Sequence, residues 1–262
     1  MSVLDTILKT KTQEVEALKA NGGLTEARRR ALALPAGRSL KTALRTAGRT
    51  PIIAEIKRSS PSAGSINSLV DVKAQAALYQ EAGAAAVSVL TDRTYFQGDL
   101  EDVRQARTVL NIPILRKDFI IDPIQLYETK LAGADAALLI VAALEPELLR
   151  LLYTEALDLG LSVLVETHNE EEVQTALTLN PSIIGVNNRN LSDMTVNLET
   201  CARLRTLIPR DTLVIGESGI NSPADVSMLL NAGINGFLVG SSLMRSDDPD
   251  GLLKALVATG SA

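Results

Sequence analysis

One cysteine, one histidine and no tryptophan occur in the 262 residues of this chain. Cys201 alone cannot close an internal disulfide, and a lone thiol fits a reducing compartment. With His168 as the only imidazole, a metal centre would have to be built from carboxylates, which argues against metal chemistry. Aromatic residues make up 3% of the chain, so a core must be assembled from Ala, Leu, Ile and Val. Long apolar runs are lacking as well. The longest, Ala136 to Leu144, falls well short of the roughly 20 residues a membrane-spanning helix needs. The first residues lack the basic, apolar and small-residue succession of a secretory signal. A soluble, cytoplasmic protein with no membrane partner is expected. Positive charge is in deficit too, with a net charge of −5 and no Lys/Arg stripe interleaved with aromatics. Nucleic acid is therefore not an expected partner.

Hydrophobic residues, at 46%, are plentiful enough for one large α/β barrel domain over 1–262. Residues 1–50 read differently from the rest. Leu4, Ile7, Leu8, Val15 and Leu18 recur at helical spacing with Asp5, Lys9, Lys11 and Glu14 between them. Asn21-Gly22-Gly23 should stop that helix. Arg28, Arg29 and Arg30 follow on a second helical piece, read as a solvated face, and Pro35 and Gly37 break it. This stretch is expected to form a helical extension, a lid over one end of the main fold.

From Pro51 a rhythm of short apolar strands and helical segments sets in, without hairpin signals. Strands are expected near 52–56, 85–90, 113–116, 136–141, 162–166, 182–187, 212–216 and 235–239. Helices should fill 69–82, 99–110, 122–132, 145–158, 170–178, 197–207, 222–231 and 249–258, with Gly83, Gly133, Gly160 and Gly233 at helix ends. Alternation of this kind implies a parallel sheet, and eight units close into a (β/α)8 TIM barrel. An open doubly wound sheet would want a G-x-G-x-x-G turn after its first strand, and Lys57-Arg58-Ser59-Ser60 is not one.

Active sites of such barrels lie where strands end and βα loops begin. The polar residues there are Glu55 and Lys57, Lys117 and Asp118, Glu166, Asn187 and Arg189, Glu217 and Ser218, and Gly240 and Ser241. On the first strand Ile53, Glu55 and Lys57 share one face, and Ile52, Ala54 and Ile56 the other. Such a strand is a poor fully buried strand, so its charged pair should meet a ligand where the chain leaves the core. Lysines and carboxylates without a His or Cys cluster suit proton transfer and carbonyl chemistry. A lysine acid is favoured by burial or a cationic neighbour and opposed by a nearby glutamate. Gly216-Glu217-Ser218-Gly219-Ile220 and Val239-Gly240-Ser241-Ser242 follow the last two strands, the usual phosphate loops of this fold. A phosphorylated small molecule is the expected substrate.

The ordered set IIAEIKRSSPSAG (52–64), VSVLTDRTYFQGDLEDV (87–103), PILRKDFIIDPIQLYE (113–128), GADAALLIVAAL (133–144), LVETHNEEE (164–172), IIGVNNRNL (183–191), VIGESGI (214–220) and FLVGSSLM (237–244) resembles the indole-3-glycerol phosphate synthase family of tryptophan biosynthesis. The likeness runs from about residue 4 to the end. It implies ring closure of 1-(2-carboxyphenylamino)-1-deoxyribulose 5-phosphate with loss of carbon dioxide and water, without cofactor or metal. By the same resemblance Lys117 would be the general acid at the substrate carbonyl. Glu166 and Lys57 would handle the protons of the closing dehydration, with Glu55 pairing Lys57. Asn187 and Arg189 match positions that hold the substrate carboxylate and neighbouring polar groups. Ser60, Ser218, Gly219, Gly240 and Ser241 match phosphate and sugar contacts, with Glu217 beside them on the same rim. Phe96, Phe119 and Leu138 match the apolar pocket for the anthranilate ring. The family often has an aromatic residue in the N-terminal helix, where this chain offers only aliphatic Leu4, Ile7 and Leu8. His168 reads as a loop or supporting histidine, and Cys201 as packing. Alternatives are a phosphosugar isomerase or decarboxylase on the same barrel, and a non-catalytic scaffold. A monomer is expected, with room for association with other tryptophan-pathway enzymes.

Overall fold

The computed structural model describes residues 2–20, 23–62, 64–191 and 193–260. Eight parallel strands close into a barrel. They are β1 (Ile52–Ile56), β2 (Ala86–Leu90), β3 (Ile114–Lys117), β4 (Ala136–Ile140), β5 (Ser162–Thr167), β6 (Ile183–Asn187), β7 (Leu213–Glu217) and β8 (Gly236–Val239). Each pairs with its neighbours in sequence, and β1 closes the ring by setting Ile53 opposite Leu238 on one side and Ala86 on the other. Strand ends fall within one residue of the sequence expectation, and the eight outer helices within three.

Alternation along the strands builds two apolar layers. Ile53, Leu115, Leu138, Leu164, Ile215 and Leu238 pack together inside the barrel. Ile52, Ala54, Ile56, Ile114, Val165 and Val214 join the larger layer between strands and helices. β1 departs from expectation in one respect: it is buried along its whole length, Glu55 included. The Lys57 ammonium, 2.6 Å from Glu55 Oε1, supplies the partner that a buried carboxylate requires. Asp122 and Ser222 open helices Pro123–Leu131 and Pro223–Asn231 with reciprocal capping boxes, which fix where those βα loops end.

The N-terminal extension is three helices, α1 (Val3–Ala20), α2 (Leu24–Leu32) and α3 (Leu40–Arg45). Asn21 and Gly22, the expected helix stop, lie outside the described residues. The extension serves both ends of the barrel rather than one. α1 crosses the C-terminal rim, where Lys11 is buried against Asp92 at 3.1 Å and Asp118 at 3.0 Å. Thr10 Oγ1 lies 2.9 Å from the Tyr95 hydroxyl. α2 packs beside helix Pro123–Leu131, and Arg28 reaches Glu155 at 2.8 Å. The arginine run is thus partly an anchor rather than only a solvated face. α3 plugs the opposite end: Leu40 and Leu44 join the interior cluster, and the Leu40 amide donates to Ser162 Oγ at 3.1 Å.

Five smaller elements among the described residues were not anticipated: α3, helix Arg93–Phe96, a 3-10 turn at Val141–Ala143, helix Ser241–Arg245, and an antiparallel ladder pairing Ser59–Ser60 with Gly64–Ser65. The last corrects the expectation of no hairpin. It folds the loop after β1 back over the rim, and Arg58 braces it by a forked pairing with Asp102. No helix among the described residues is long and apolar enough to cross a membrane.

Leu40→Ala should destabilise the protein by about 2–5 kcal/mol, because it empties a fully buried site in the barrel plug. Chemical denaturation measures this, and an unchanged midpoint would show that the plug lies outside the cooperative core.

Candidate active site

Strand ends deliver a ring of charged side chains to the C-terminal mouth, and the barrel register decides which of them meet. Leu90 stands beside Lys117, Ile140 beside Glu166, and Asn187 beside Glu217. Lys117 Nζ lies 2.9 Å from Glu166 Oε2 and 3.1 Å from Glu217 Oε2. Asn187 Nδ2 donates to Glu166 Oε1 at 3.1 Å. Across the mouth, Lys57 and Glu55 form their own pair. Both glutamates that flank Lys117 are almost fully buried.

Room for these carboxylates is made by missing side chains. A Cβ at Gly240 would stand 2.2 Å from Glu55 Oε1, and one at Gly185 would stand 2.2 Å from Glu217 Oε1. Neither position could hold even alanine without moving a carboxylate. Gly240 therefore has a packing reason to be glycine besides its place in a phosphate-type loop.

Burial and pairing set the charge states. Burial works against the Lys117 ammonium, yet Glu166, Glu217 and Glu55 outweigh it and hold its pKa above the usual lysine value. The flanking glutamates thus oppose the lowered pKa that would help a lysine acid, the opposing effect named in the sequence reading. Burial also works to raise Glu166, but Lys117 and His168 more than offset it and keep that carboxyl well below its ordinary value. Glu217 goes the other way. Burial, aided by the charge on Glu166, pushes it up to about 8 against the pull of Lys117. Its Oε1 is buried without a hydrogen-bond partner among the described residues, which itself disfavours the ionised form. Near neutrality the cluster thus holds a charged lysine, an ionised Glu166 and a protonated Glu217, titrating as a unit.

Beneath Lys117 the chain is fixed by charge. Arg116 is buried, donating to Thr91 Oγ1 at 3.0 Å, the Gln125 carbonyl at 2.8 Å and Asp118 Oδ2 at 3.0 Å. Burial tends to raise Asp118, and Arg116 and Lys11 hold it down to about 2. Asp118, expected on the catalytic rim, serves as the anchor of this network. The His168 side chain is largely covered as well. Burial opposes its charge, while Glu166 and Glu172 raise its pKa to about 10.

All of the expected site residues line one cavity of about 550 Å³ at this mouth. Glu55, Lys57, Lys117, Glu166, Asn187 and Glu217 form its floor and polar wall. Phe96 and Phe119, with ring centroids 6.1 Å apart, flank the apolar side with Leu138. Ser60, Arg189, Ser218, Gly219, Gly240 and Ser241 surround the rest. Ser218 has φ 63°, a left-handed conformation unusual for serine, and it turns the chain sharply into Gly219. Arg189 is steered by its own loop, donating from Nη1 to the Met194 carbonyl at 2.9 Å.

Other lining residues escaped the sequence reading: Val3, Leu90, Ile140, Leu191, Met194, Val196 and Leu198. The aliphatic face of α1 does reach the cavity, through Val3, Leu4 and Ile7, in place of an aromatic residue. A run of apolar side chains at alternate positions, 194, 196 and 198, was the available signal for the loop after β6.

A closed barrel with a charged and partly apolar cavity at the C-terminal ends of its strands defines the class: a (β/α)8-barrel enzyme. A model of the indole-3-glycerol phosphate synthase family matches residues 4–256. Indole-3-glycerol phosphate synthase of Rhodopirellula baltica is 43% identical over 259 residues, covering 99% of this chain and 100% of that protein. The synthase of Chlorobium luteolum is 44% identical over 253 residues, covering 96% and 97%. The chain belongs to the indole-3-glycerol phosphate synthase family. Among solved structures, thiamine phosphate pyrophosphorylase from Pyrococcus furiosus aligns with a TM-score of 0.61 over 83% of this chain and 96% of that one. At 16% identity that likeness concerns the barrel fold alone.

Glu217 makes a signed prediction. Its folded pKa lies above the ordinary 4.5, so the folded state binds more protons than the unfolded one between about 4.5 and 8. The contribution is complete below that window and is lost as pH rises through it. Wild type should therefore lose stability relative to Glu217→Gln between pH 5 and 8 in denaturant titrations. Parallel curves would show that Glu217 is ionised throughout.

Proposed function

We propose that this cavity closes the indole ring of 1-(2-carboxyphenylamino)-1-deoxyribulose 5-phosphate, releasing carbon dioxide and water to give indole-3-glycerol phosphate. The observation that carries the residue assignment is the Lys117 ammonium held between Glu166 and Glu217 in the cavity that Phe96 and Phe119 flank. In this reading the aromatic ring lies against Phe96, Phe119 and Leu138, and the phosphate meets the loops carrying Ser218, Gly219, Gly240 and Ser241. Asn187 and Arg189 receive the substrate carboxylate and neighbouring polar groups.

The chemistry then follows from the charge states. The ring carbon bearing the carboxylate attacks the ketone carbon, and Lys117 donates a proton to the developing alkoxide. The carbon–carboxylate bond breaks, carbon dioxide leaves, and its electron pair returns to the ring. In the last step the new hydroxyl leaves as water, with Lys57 assisting its departure. Glu166 takes the proton from the carbon beside the nitrogen, whose loss forms the double bond that completes the indole. Asn187 holds Glu166 for that task, and Glu55 holds Lys57.

A phosphosugar isomerase or decarboxylase would have no use for the apolar wall, and a scaffold none for a buried lysine between two carboxylates. Both are less favoured. A cytoplasmic location is part of the same proposal, supported by the single buried thiol of Cys201.

Purified protein given this substrate should produce indole fluorescence with a bell-shaped pH–rate profile. Lys117→Met and Glu166→Gln should each lower kcat by about 10²–10⁴-fold. Tight binding without turnover by wild type would favour the scaffold, and neither binding nor turnover would reopen the phosphosugar alternative.

A further inference from the structure

His168 is the only histidine of the chain, and the reaction above does not use it. It follows Glu166 by two residues at the end of β5, with 8% of its side chain exposed. Nδ1 lies 2.9 Å from Glu172 Oε2, and Nε2 lies 3.2 Å from Glu166 Oε1. The second contact is an ion-pair approach, off the line of a straight hydrogen bond. A neutral imidazole has one N–H and one lone pair. Between two carboxylates, either tautomer would turn that lone pair toward an oxygen that can only accept. With both nitrogens protonated, each faces an acceptor.

Glu172 is itself held in place. It accepts from the His168 amide at 2.9 Å and from Asn169 Nδ2 at 2.6 Å, in the first turn of helix Glu170–Leu177. The ring therefore links a fixed helix start to the carboxylate inside the cavity. Asn187 meets the same Glu166 oxygen, and Lys117 takes the other. Charges on neighbouring elements are Asp5 of α1, Arg189 of the loop after β6 and Arg203 of helix Glu199–Arg205, which share a polar cavity with His168. Arg203 is paired with Glu170. Lys117 and Glu217 lie beyond Glu166.

We propose that His168 is a positioning residue for Glu166: a doubly protonated ring, pinned to Glu172, fixes the direction of the Glu166 carboxylate and favours its ionised form. The kinetic part of this rests on the function proposed above, and the protonation of the ring does not.

Because no other histidine is present, nitrogen NMR of histidine-labelled protein reports on this ring alone. Both nitrogens should remain protonated well above the ordinary histidine value of about 6.5, and Glu166→Gln should lower the midpoint. A wild-type ring titrating near that ordinary value overturns the proposal. In kinetics, His168→Gln keeps an amide donor but removes the charge, which makes Glu166 easier to protonate. The acidic limb of its pH–kcat profile should move to higher pH by about one unit, with KM little changed. An unmoved limb in a folded, active variant overturns the positioning role even if the ring is charged. Should His168→Gln fail to fold, Glu172→Gln removes the outer anchor instead. It should lower the ring's midpoint and move the limb in the same direction, and no change in either overturns the clamp. Failure of wild type to turn over the substrate would refute the proposed function and leave the nitrogen spectra to decide the clamp.

Discussion

A lysine and two glutamates brought together where little water reaches them impose the main constraint on this structure. An isolated charge there would be prohibitively costly, so each must find a partner or lose its charge. Lys117 is satisfied by both carboxylates, and Glu166 by Lys117, Asn187 and His168. Glu217, with one oxygen left without a partner among the described residues, resolves the excess of negative charge by keeping a proton. Gly185 and Gly240 follow from the same constraint, since a single methyl at either would collide with a carboxylate oxygen. The apolar interior formed by Ile53, Leu115, Leu164 and Ile215 lies in the barrel that holds these charges.

The same reasoning changes the meaning of α1. A lid held by apolar contacts alone could lift at modest cost. Lys11 instead inserts a buried ammonium between Asp92 and Asp118, and Asp118 also holds Arg116 immediately before Lys117. Moving this part of α1 away would strip a cation from two buried carboxylates. The N-terminal turn, with Val3, Leu4 and Ile7 over the cavity, is continuous with that anchored segment. α1 is therefore part of the wall of the site, and Lys11 is the residue that makes it so.

Much of this was legible in the sequence, because the barrel repeats a local rule. Each short apolar strand followed by a helix announces itself within about 30 residues, and the fold then dictates where polar strand ends converge. Glu55, Lys57, Lys117, Glu166, Asn187 and Glu217 could be picked out by position alone. What escaped depends on partners distant in the chain. Lys11 looked like an exposed helix charge until Asp92 and Asp118 stood beside it. Leu40 and Leu44 occupy a six-residue helix whose apolar pair is too brief to signal a barrel plug. The loop ladder at Ser59–Ser60 depends on Arg58 meeting Asp102, more than 40 residues away. β1 seemed unfit for full burial because a glutamate was weighed without the lysine that neutralises it.

The charge states also bear on how an acid can work here at all. A lysine whose pKa is raised gives up its proton reluctantly, and a substrate carrying a phosphate and a carboxylate would add more negative charge nearby. Taken singly, Lys117 is a poor donor. Taken with Glu217 it need not be. When the ammonium protonates an alkoxide, the amine left behind lies within 3.1 Å of Glu217 Oε2, on a carboxyl that burial has pushed up to about 8. Under the proposed function that carboxyl, within reach of the amine through Oε2, would return a proton to it as the substrate's developing charge disappears, leaving Glu217 ionised. Under the proposed function, the second carboxylate would supply the proton that lets Lys117 act near neutral pH, and the relevant acid is the cluster rather than the lysine alone.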